Sequence, residues 1–296
     1  MPKVQLETVY RSTDPEHLLF INRIRVKQPT RPLLEEYFDD RHWYHMSLTE
    51  CVVIGFELAE RAGKPFVWLA CTNRGASEVC EAAVRHKGIT DEDLSNGYLC
   101  DPCSKSNLRI VARRGVILRL TRNFDKQRGF VNGAMVCVED SLRGNEVFTA
   151  RLVSSGNMVL IHSMEEDGGI FLPCCYGYAT TIRRAQGSDL YHGCLYMDQM
   201  KRPAGRGYGY VGVSRFQSRA GCYLYGKLRR TDFLPVDPDD TEEVLERGYD
   251  SVDSEDSDGC GMEAVGIGYS NEDWEIDEEC LEHQPRDFES PNPYFV

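Results

Sequence analysis

The sequence predicts an α/β fold that is interrupted by a small antiparallel barrel and followed by an acidic tail. The first observation is a strand at 66–71, a polar turn and a helix at 77–86, which is the sequence form of an α/β unit. The second is a series of short alternating segments that begins at Gly115, with turn residues between them. The third is an acidic stretch without sustained periodicity at 236–296, which predicts disorder.

Composition excludes several classes of protein. The chain has 296 residues, of which 41% are hydrophobic and 10% aromatic, so it can form a core and is not wholly disordered. No apolar run reaches the roughly 18 residues that a membrane helix needs, and the N-terminal residues lack the apolar centre of a signal peptide. Twelve cysteines without a secretion signal indicate reduced thiols. We therefore expect an intracellular protein that is neither secreted nor bound to a membrane, and a nuclear one if the source is eukaryotic.

The region at 1–113 combines helical and strand patterns. Apolar residues recur at helical spacing across 18–37, and Pro29 and Pro32 divide this stretch into two helices with a short connection. The strand at 66–71 is continuously apolar, which is typical of a buried strand. These elements form the first part of the predicted α/β domain.

The antiparallel barrel is predicted at 114–171. Val116, Leu118 and Leu120 alternate along one strand, and Asn132 and Gly133 form a turn that opens a second. The α/β pattern then returns at 172–235. The remaining strand candidates lie at 147–153, 158–161, 178–185, 195–197, 210–213 and 222–226.

The net charge of −13 is unevenly distributed along the chain. Residues 236–296 contain 21 acidic and two basic residues, which gives this tail a net charge of −19. The other 235 residues hold 32 basic and 26 acidic side chains, a net charge of +6, so the body can bind a polyanion. The tail is expected either to keep the protein soluble or to compete with nucleic acid as a tethered polyanion.

Most templates of catalytic and metal sites do not occur in the sequence. It contains no GxSxG, HExxH, EF-hand or GxxxxGK[ST] pattern, and the glycine-rich run at 205–209 precedes a strand candidate, so it does not predict a dinucleotide cradle. Cys100 and Cys103 have the spacing of zinc ligands, and Cys80 or His86 could join them. A single pair is a weak signal, so we favour reduced loop thiols and expect no metal.

Three segments are more specific when they are taken together. Residues 6–13, 178–187 and 209–215 resemble motifs IV, V and VI of superfamily 1 DNA helicases, in that order, and the branch they resemble is the RecD and PIF-type helicases. Residues 115–125 with 129–133, and the Thr-Asn strand end at 69–73, are similar to further segments of that branch. The resemblance covers roughly residues 4–235. It implies a RecA-like, P-loop-NTPase-type lobe (2A) at 1–113 and 172–235, with an inserted SH3-like barrel (2B) at 114–171.

The resemblance implies that Arg215 is the arginine finger of motif VI and that Arg11 is a second arginine from motif IV. Arginine suits contact with a γ-phosphate because its planar fork stays charged and pairs with two oxygens. Ser12 stands where the branch usually has glutamine. The alternative is that each is an ordinary surface arginine. The residues implied to couple the nucleotide to DNA are Gln186, Gly187 and Ser214.

A second set of residues is implied to bind DNA. They are Thr72, Asn73, Thr181, Arg183, Arg184, Arg122 and Asn132. Arg183, Arg184 and Ala185 replace the His, Lys and Ser of the usual motif V, which keeps positive charge but loses an imidazole and a hydroxyl. For Thr72 and Asn73 a helix cap is the alternative interpretation. Nearby basic residues predict a groove for a single-stranded backbone, and they are Arg113, Arg114, Arg119, Arg122, Lys126, Arg128, Lys201, Arg202 and Arg206.

We therefore expect the C-terminal motor lobe of an ATP-dependent DNA helicase that acts in DNA repair or recombination. Its expected partners are single-stranded DNA, with RNA as an alternative, and an N-terminal helicase lobe. ATP and Mg²⁺ would be cofactors of a complete parent enzyme, and this chain would bind neither by itself because it has no Walker A or B motif. The alternatives are a non-catalytic single-stranded nucleic-acid-binding module and a scaffold that uses only the fold.

Overall fold

The computed structural model describes residues 12–142, 146–166, 168–198 and 205–235. Within them the α-helices are α1 (Pro15–Val26), α2 (Arg31–Phe38), α3 (Leu48–Ala62), α4 (Asn73–His86), α5 (Asp91–Ser95) and α6 (Tyr208–Val213). The strands are β1 (His42–Trp43), β2 (Phe66–Ala70), β3 (Ile117–Leu120), β4 (Met135–Leu142), β5 (Val147–Leu152), β6 (Met158–His162), β7 (Met164–Glu166), β8 (Gly169–Phe171), β9 (Cys174–Tyr176), β10 (Ala179–Thr181), β11 (His192–Tyr196) and β12 (Cys222–Tyr225). Arg11, Lys201, Arg202 and the acidic tail at 236–296 lie outside the described residues.

Five strands form a parallel sheet in the order β1-β12-β11-β2-β10. At its centre, Leu69 of β2 lies opposite Leu195 of β11 and Thr180 of β10. All five residues of β2 are buried, as expected for a parallel strand that is covered on both faces. The predicted α/β class is therefore confirmed, and the main sheet of this class is parallel.

The two faces of this sheet pack on different helices. Successive side chains of a strand point to opposite faces, so β2 contributes to two hydrophobic clusters. Val67 and Leu69 pack with residues of α1, α2 and α6, such as Phe20. Phe66 and Trp68 pack with residues of α3 and α4. The helices thus cover both faces of the sheet, which is the layered arrangement of α/β proteins.

Five further strands form an antiparallel sheet in the order β6-β5-β4-β3-β9. Leu118 and Leu120 of β3 are buried and alternate with the less buried Ile117 and Arg119. The register of β4 and β5 shifts between Val138 and Asp140, which marks a bulge. Strand β9 belongs to this sheet, so the sheet continues past residue 171, and the parallel sheet resumes with β10.

Helix α3 was not identified from the sequence, although its start carries a recognisable signal. The Ser47 hydroxyl accepts the backbone N–H of Glu50 at 3.3 Å, and the Glu50 carboxylate accepts the backbone N–H of Ser47 at 2.8 Å. This reciprocal capping box satisfies two of the backbone donors at the helix start. Helix α3 ends at Gly63, whose φ of 60° fits the left-handed conformation that favours glycine there.

The strand predicted at 210–213 is wrong, because these residues belong to α6. Gly207 precedes the helix with a φ of 77°. Gly209 and Gly212 are three positions apart and so share one helix face. A Cβ at Gly212 would lie 2.7 Å from a methyl carbon of Leu195, and one at Gly209 would collide with Phe233. Gly212 therefore lets the helix lie close to β11, and Gly209 lets it lie close to Phe233, which an apolar run of four residues could not reveal.

The described residues include no helix that is both long and apolar enough to cross a membrane.

Candidate functional site

The carboxyl edge of the parallel sheet is organised by Asp198, which follows β11 and is 5% exposed. Its carboxylate accepts the backbone N–H groups of Cys71 at 2.8 Å and Thr72 at 3.1 Å, and it also accepts the hydroxyl of Thr72. A Cβ at Gly75 would collide with this carboxylate, so the position requires glycine. Asp198 thus fixes the loop between β2 and α4.

Thr72 and Asn73 differ in what they can offer a ligand. The Thr72 hydroxyl donates to Asp198 and accepts the backbone N–H of Gly75 at 3.0 Å, so it caps α4. Both of its hydrogen-bonding roles are therefore used within the protein, as the helix-cap interpretation expects. Asn73 is exposed at the same edge. Sequence reasoning did not identify Asp198, since its partners are more than 120 residues away in sequence.

The segment after β10 lies at the same edge, because β10 pairs with β2 in parallel. Thr181 is buried, and its hydroxyl accepts the backbone N–H of Arg184 at 3.3 Å. The guanidinium of Arg184 donates to the carbonyl oxygens of Ser104 at 2.6 Å and Cys103 at 3.0 Å. Arg183 is exposed beside it. The edge thus presents Asn73 and Arg183 outward while Thr181 and Arg184 hold the loops together.

Arg183 lies close to Tyr208 at the start of α6. Burial raises the pKa of the Tyr208 phenol, and the charge of Arg183 and its hydrogen bond with Tyr208 oppose that rise. This contact connects the segment after β10 with α6.

Arg122 follows β3 and Asn132 precedes β4 of the antiparallel sheet. Arg122 pairs with the fully buried carboxylate of Asp101 at 2.7 Å and with Glu166 at 2.8 Å. Burial alone would raise the pKa of Asp101, but hydrogen bonds from Arg122, Thr121 and the backbone hold it below its usual value. Asn132 is exposed, and its backbone N–H donates to the side chain of Asn123 at 2.9 Å. Arg122 therefore compensates a buried acid, a role that its sequence context did not show.

The opposite edge of the sheet carries Ser214 and Arg215. They follow α6, and the carbonyl of Arg215 accepts the backbone N–H of Leu190, two residues before β11 begins. Nε of Arg215 donates to the carbonyl of Val211 at 3.0 Å, and Nη2 donates to the Ser214 hydroxyl at 2.9 Å. The guanidinium is half-buried and lies back along its own helix.

A small cavity of about 140 Å³ opens between α1 and α6 at this edge. Its polar lining includes the side chains of Arg25, Arg215, Ser12 and Ser214. Two guanidinium groups and two hydroxyls suit a phosphate group, since they can donate several charge-assisted hydrogen bonds. No acidic residue is among those that line it in the described part of the chain, so it offers no carboxylate to Mg²⁺. Arg25, in the last turn of α1, was not identified from the sequence.

Helix α1 is anchored beside Arg215 by a buried histidine. Nε2 of His17 donates to the carbonyl of Phe216 at 2.9 Å, and the Tyr37 hydroxyl donates to Nδ1 at 2.6 Å. Burial lowers the pKa of His17, so the neutral ring is favoured and fits this pattern of one donor and one acceptor. The anchor places Ser12 and Arg25 against Arg215.

Gln186 and Gly187 lie in the turn that links the two edges. Both residues are exposed, and Gly187 has a φ of 87°. The backbone N–H of Gln186 donates to the carbonyl of Arg183 at 3.2 Å. The structure places these residues outside the lining of the phosphate-sized cavity.

The zinc spacing at Cys100 and Cys103 leads to no ligand cluster. Cys100 is buried and donates to the carbonyl of Ser106 at 2.9 Å, whereas Cys103 is exposed. In the described ranges no group of three or more His, Cys, Asp or Glu side chains could hold a metal ion.

Comparisons with known proteins point to one group of enzymes. No protein-family model matches the chain. The ATP-dependent DNA helicase PIF1 of Danio rerio is 25% identical over 251 residues, which cover 82% of this chain and 37% of that protein. The chain therefore spans little more than a third of the length of that relative.

Solved helicase structures share the fold. Bacteroides Pif1 helicase in complex with ADP-AlF3 and single-stranded DNA matches with a TM-score of 0.57 and 17% identity, over 84% of this chain and 57% of that one. Pif1 helicase from Candida albicans matches with a TM-score of 0.50 and 14% identity, over 82% and 59%. The predicted resemblance to a C-terminal portion of a PIF-like superfamily 1 helicase is confirmed.

Proposed function

We propose that this chain is the C-terminal, second RecA-like lobe of a PIF-like, ATP-dependent DNA helicase. One observation carries the proposal: two of the residues implied to face nucleotide and five of the seven implied to grip DNA lie at opposite edges of one parallel sheet. Arg215 and Ser214 lie near the amino end of β11, and Asn73 and Arg183 lie beyond the carboxyl ends of β2 and β10. A lobe built in this way can connect the state of the nucleotide to the position of the DNA.

At the nucleotide edge, the described lining of the cavity supplies positive charge and contains no carboxylate. The cavity of about 140 Å³ is too small for a whole nucleotide but fits a phosphate group. We propose that Arg215, assisted by Arg25, contacts the γ-phosphate of ATP held by another lobe, and that Arg11 takes part as well. To do so, the Arg215 guanidinium exchanges its bond with the Val211 carbonyl for bonds with phosphate oxygens. ATP with Mg²⁺ supplies the phosphoryl group when a complete enzyme binds it.

At the DNA edge, we propose that Asn73 and Arg183 contact the phosphate backbone of a single strand. Both are exposed, so they can reach a ligand without disturbing the fold. Thr72, Thr181 and Arg184 act as positioning residues, since their polar groups bind within the protein. Contacts of this kind hold a backbone without reading its sequence. RNA would make the same contacts, so the DNA preference comes from the similarity to DNA helicases.

The antiparallel sheet corresponds, in this proposal, to the SH3-like 2B barrel at 114–171. Asn132 lies exposed in a turn at its entrance. Arg122 pairs with Asp101 and is proposed to hold the barrel entrance in place. Action in the nucleus, in repair or in recombination is part of the same proposal and rests on the helicase relationship alone.

The DNA grip is tested by binding of a fluorescent single-stranded oligonucleotide to the full chain. We expect Arg183→Met and Asn73→Ala each to weaken binding, and the loss from Arg183→Met to shrink as salt rises. Arg85→Met is the matched control. Arg85 is also exposed and lies at the far end of α4, where it pairs with Glu81 and with Asp91. Equal losses in Arg183→Met and the control, or no binding by the unmodified chain, would contradict the proposed grip.

The motor role is tested by hydrolysis assays. The isolated chain should not hydrolyse ATP, because its sequence has no phosphate loop. A chimaera that carries this chain as the second lobe of a complete PIF-type helicase should hydrolyse ATP in a DNA-dependent manner. In that chimaera Arg215→Lys should lower kcat about 10³-fold, the scale of an arginine finger, with little change in nucleotide affinity. DNA-stimulated turnover by the isolated chain contradicts the lobe model. DNA binding without any turnover by the chimaera favours the alternative, a non-catalytic single-stranded nucleic-acid-binding module.

A further inference from the structure

A larger cavity, separate from both edges described above, lies between the α3–α4 layer and the outer face of the antiparallel sheet. Its volume is about 590 Å³, within the range of small-molecule sites. We propose that this cavity binds a small amphipathic organic anion, with a flat apolar body and one carboxylate, sulfonate or phosphate group. The proposal does not depend on the proposed helicase function.

The floor and walls of the cavity are mainly apolar and aromatic. They include Val52, Phe56, Phe66, Trp68, Val79 and Tyr178. His86 stacks on the ring of Phe56 with the centroids 4.7 Å apart. A flat apolar body fits such walls because it can stack on the rings and bury its surface.

The rim of the cavity is cationic. Lys64, Lys87 and Arg151 line it and are exposed, and Glu60 is the acidic residue of the lining in the described part of the chain. Arg151 pairs with Glu139 at 2.6 Å, so Lys64 and Lys87 supply most of the positive charge of the rim. The ammonium of Lys87 lies 4.7 Å from the centre of the Phe56 ring, so a positive charge sits directly at the edge of the apolar wall. An apolar cavity with this rim complements a ligand that is apolar at one end and negative at the other.

Cys137 lies in the wall that belongs to the antiparallel sheet and is half-buried. Burial raises the pKa of its thiol and the nearby carboxylate of Glu139 raises it further, whereas the positive charges of Arg151, Lys87 and Arg114 act in the opposite direction. The reactivity of the Cys137 thiol can therefore be used to measure whether the cavity is occupied.

A ligand here would contact both α3–α4 and the antiparallel sheet. It would therefore tie the two layers together and stabilise the folded chain by mass action. Since residues of β2 and β10 adjoin the same layer, occupancy would also stiffen the sheet that carries both functional edges.

The test uses 1-anilinonaphthalene-8-sulfonate, an aromatic body with one sulfonate, and the full chain. We expect saturable fluorescence with one strong site and an increase in Tm. The neutral N-phenyl-1-naphthylamine, which has the same apolar body, should bind more weakly. Ala59→Trp fills the cavity from α3 and should abolish the strong site. Lys87→Met should weaken dye binding at this site about fivefold, as the loss of one exposed charge contact predicts. Arg61→Met should not weaken it, because Arg61 is on α3 but outside the lining of the cavity.

Thiol labelling gives a readout that does not depend on dye fluorescence. The dye should slow the reaction of Cys137 with iodoacetamide, measured by peptide mass spectrometry, and leave the exposed Cys103 unchanged. Equal protection of both cysteines, a strong site that survives Ala59→Trp, or equal affinity for the neutral compound would each overturn the proposal.

Discussion

At the scale of single residues, the strongest anomaly is Arg119 on β3. Its Nε and Nη2 atoms are buried and have no hydrogen-bond partner in the described part of the chain. Burial and the charge of Arg184 lower the pKa of its guanidinium, whereas Cys175 and Cys80 act in the opposite direction. A buried charge without hydrogen bonds costs free energy that an apolar side chain of similar volume would not cost.

We therefore predict that Arg119→Met stabilises the fold by about 1–3 kcal/mol. The measurement is the free energy of unfolding in urea, with the slope unchanged between the two proteins. Arg114→Met is the matched control, because Arg114 is exposed and its loss should change stability by less than about 0.5 kcal/mol. A destabilised Arg119→Met would instead show that the guanidinium is satisfied by groups such as buried water.

For several candidate site residues, the motifs did not reveal the bonds that these residues form within the protein. Thr72, Arg122 and Arg184 were predicted to bind DNA, and each has a polar partner within the protein. The partner of Thr72 is 126 residues away and that of Arg184 is 80. Such pairs depend on strand order, which local patterns do not contain. Asn73 and Arg183 are exposed at the same edge, although Arg183 also forms a hydrogen bond with Tyr208.

At the scale of elements, helices and strands with a regular apolar pattern were predicted correctly. A short, glycine-rich element was not. The two helices at 18–37 and the strand at 66–71 are present, since their apolar spacing matches one period over many residues. The segment at 210–213 has too few residues to separate a helix from a strand. Its two glycines pack closely in the folded chain, Gly212 against Leu195 of β11 and Gly209 against Phe233, and such contacts are not visible in a local pattern.

The position of α1 depends on the neutral form of His17. Its folded pKa lies below the usual 6.5, so the unfolded chain binds more protons at mildly acidic pH. The stability that this group contributes is therefore present above about pH 6.5 and is lost as pH falls through the folded pKa. The same loss should loosen the contact of α1 with Phe216, next to Arg215.

We predict that His17→Gln reduces the fall in unfolding free energy between pH 7 and pH 5. The measurement is urea unfolding at a series of pH values. His192→Gln is a useful comparison, because burial also lowers the pKa of His192, which bonds the carbonyl of Lys64 far from α1. If the free energy of unfolding of His17→Gln has the same pH dependence as that of the unmodified chain, the proposal that neutral His17 anchors α1 is wrong.

At the scale of the whole molecule, the charge distribution opposes the proposed DNA partner. The body has a net charge of +6, but the acidic segment at 236–296 carries −19 and makes the whole chain −13. A tethered polyanion is present at an effective concentration that can reach the millimolar range, and it repels a nucleic acid even without a specific contact. The full chain should therefore bind single-stranded DNA more weakly than its body does.

We predict that deletion of residues 238–296 increases affinity for single-stranded DNA by about tenfold at low ionic strength, and by less at moderate salt because charges are screened there. The measurement is fluorescence anisotropy of one oligonucleotide at both salt concentrations. A second variant keeps the length of the tail but replaces its Asp and Glu with Asn and Gln. If charge is the cause, this variant binds as the deletion does. If the full chain, the deletion variant and the neutralised variant have equal affinities at both salt concentrations, the acidic segment does not affect DNA binding.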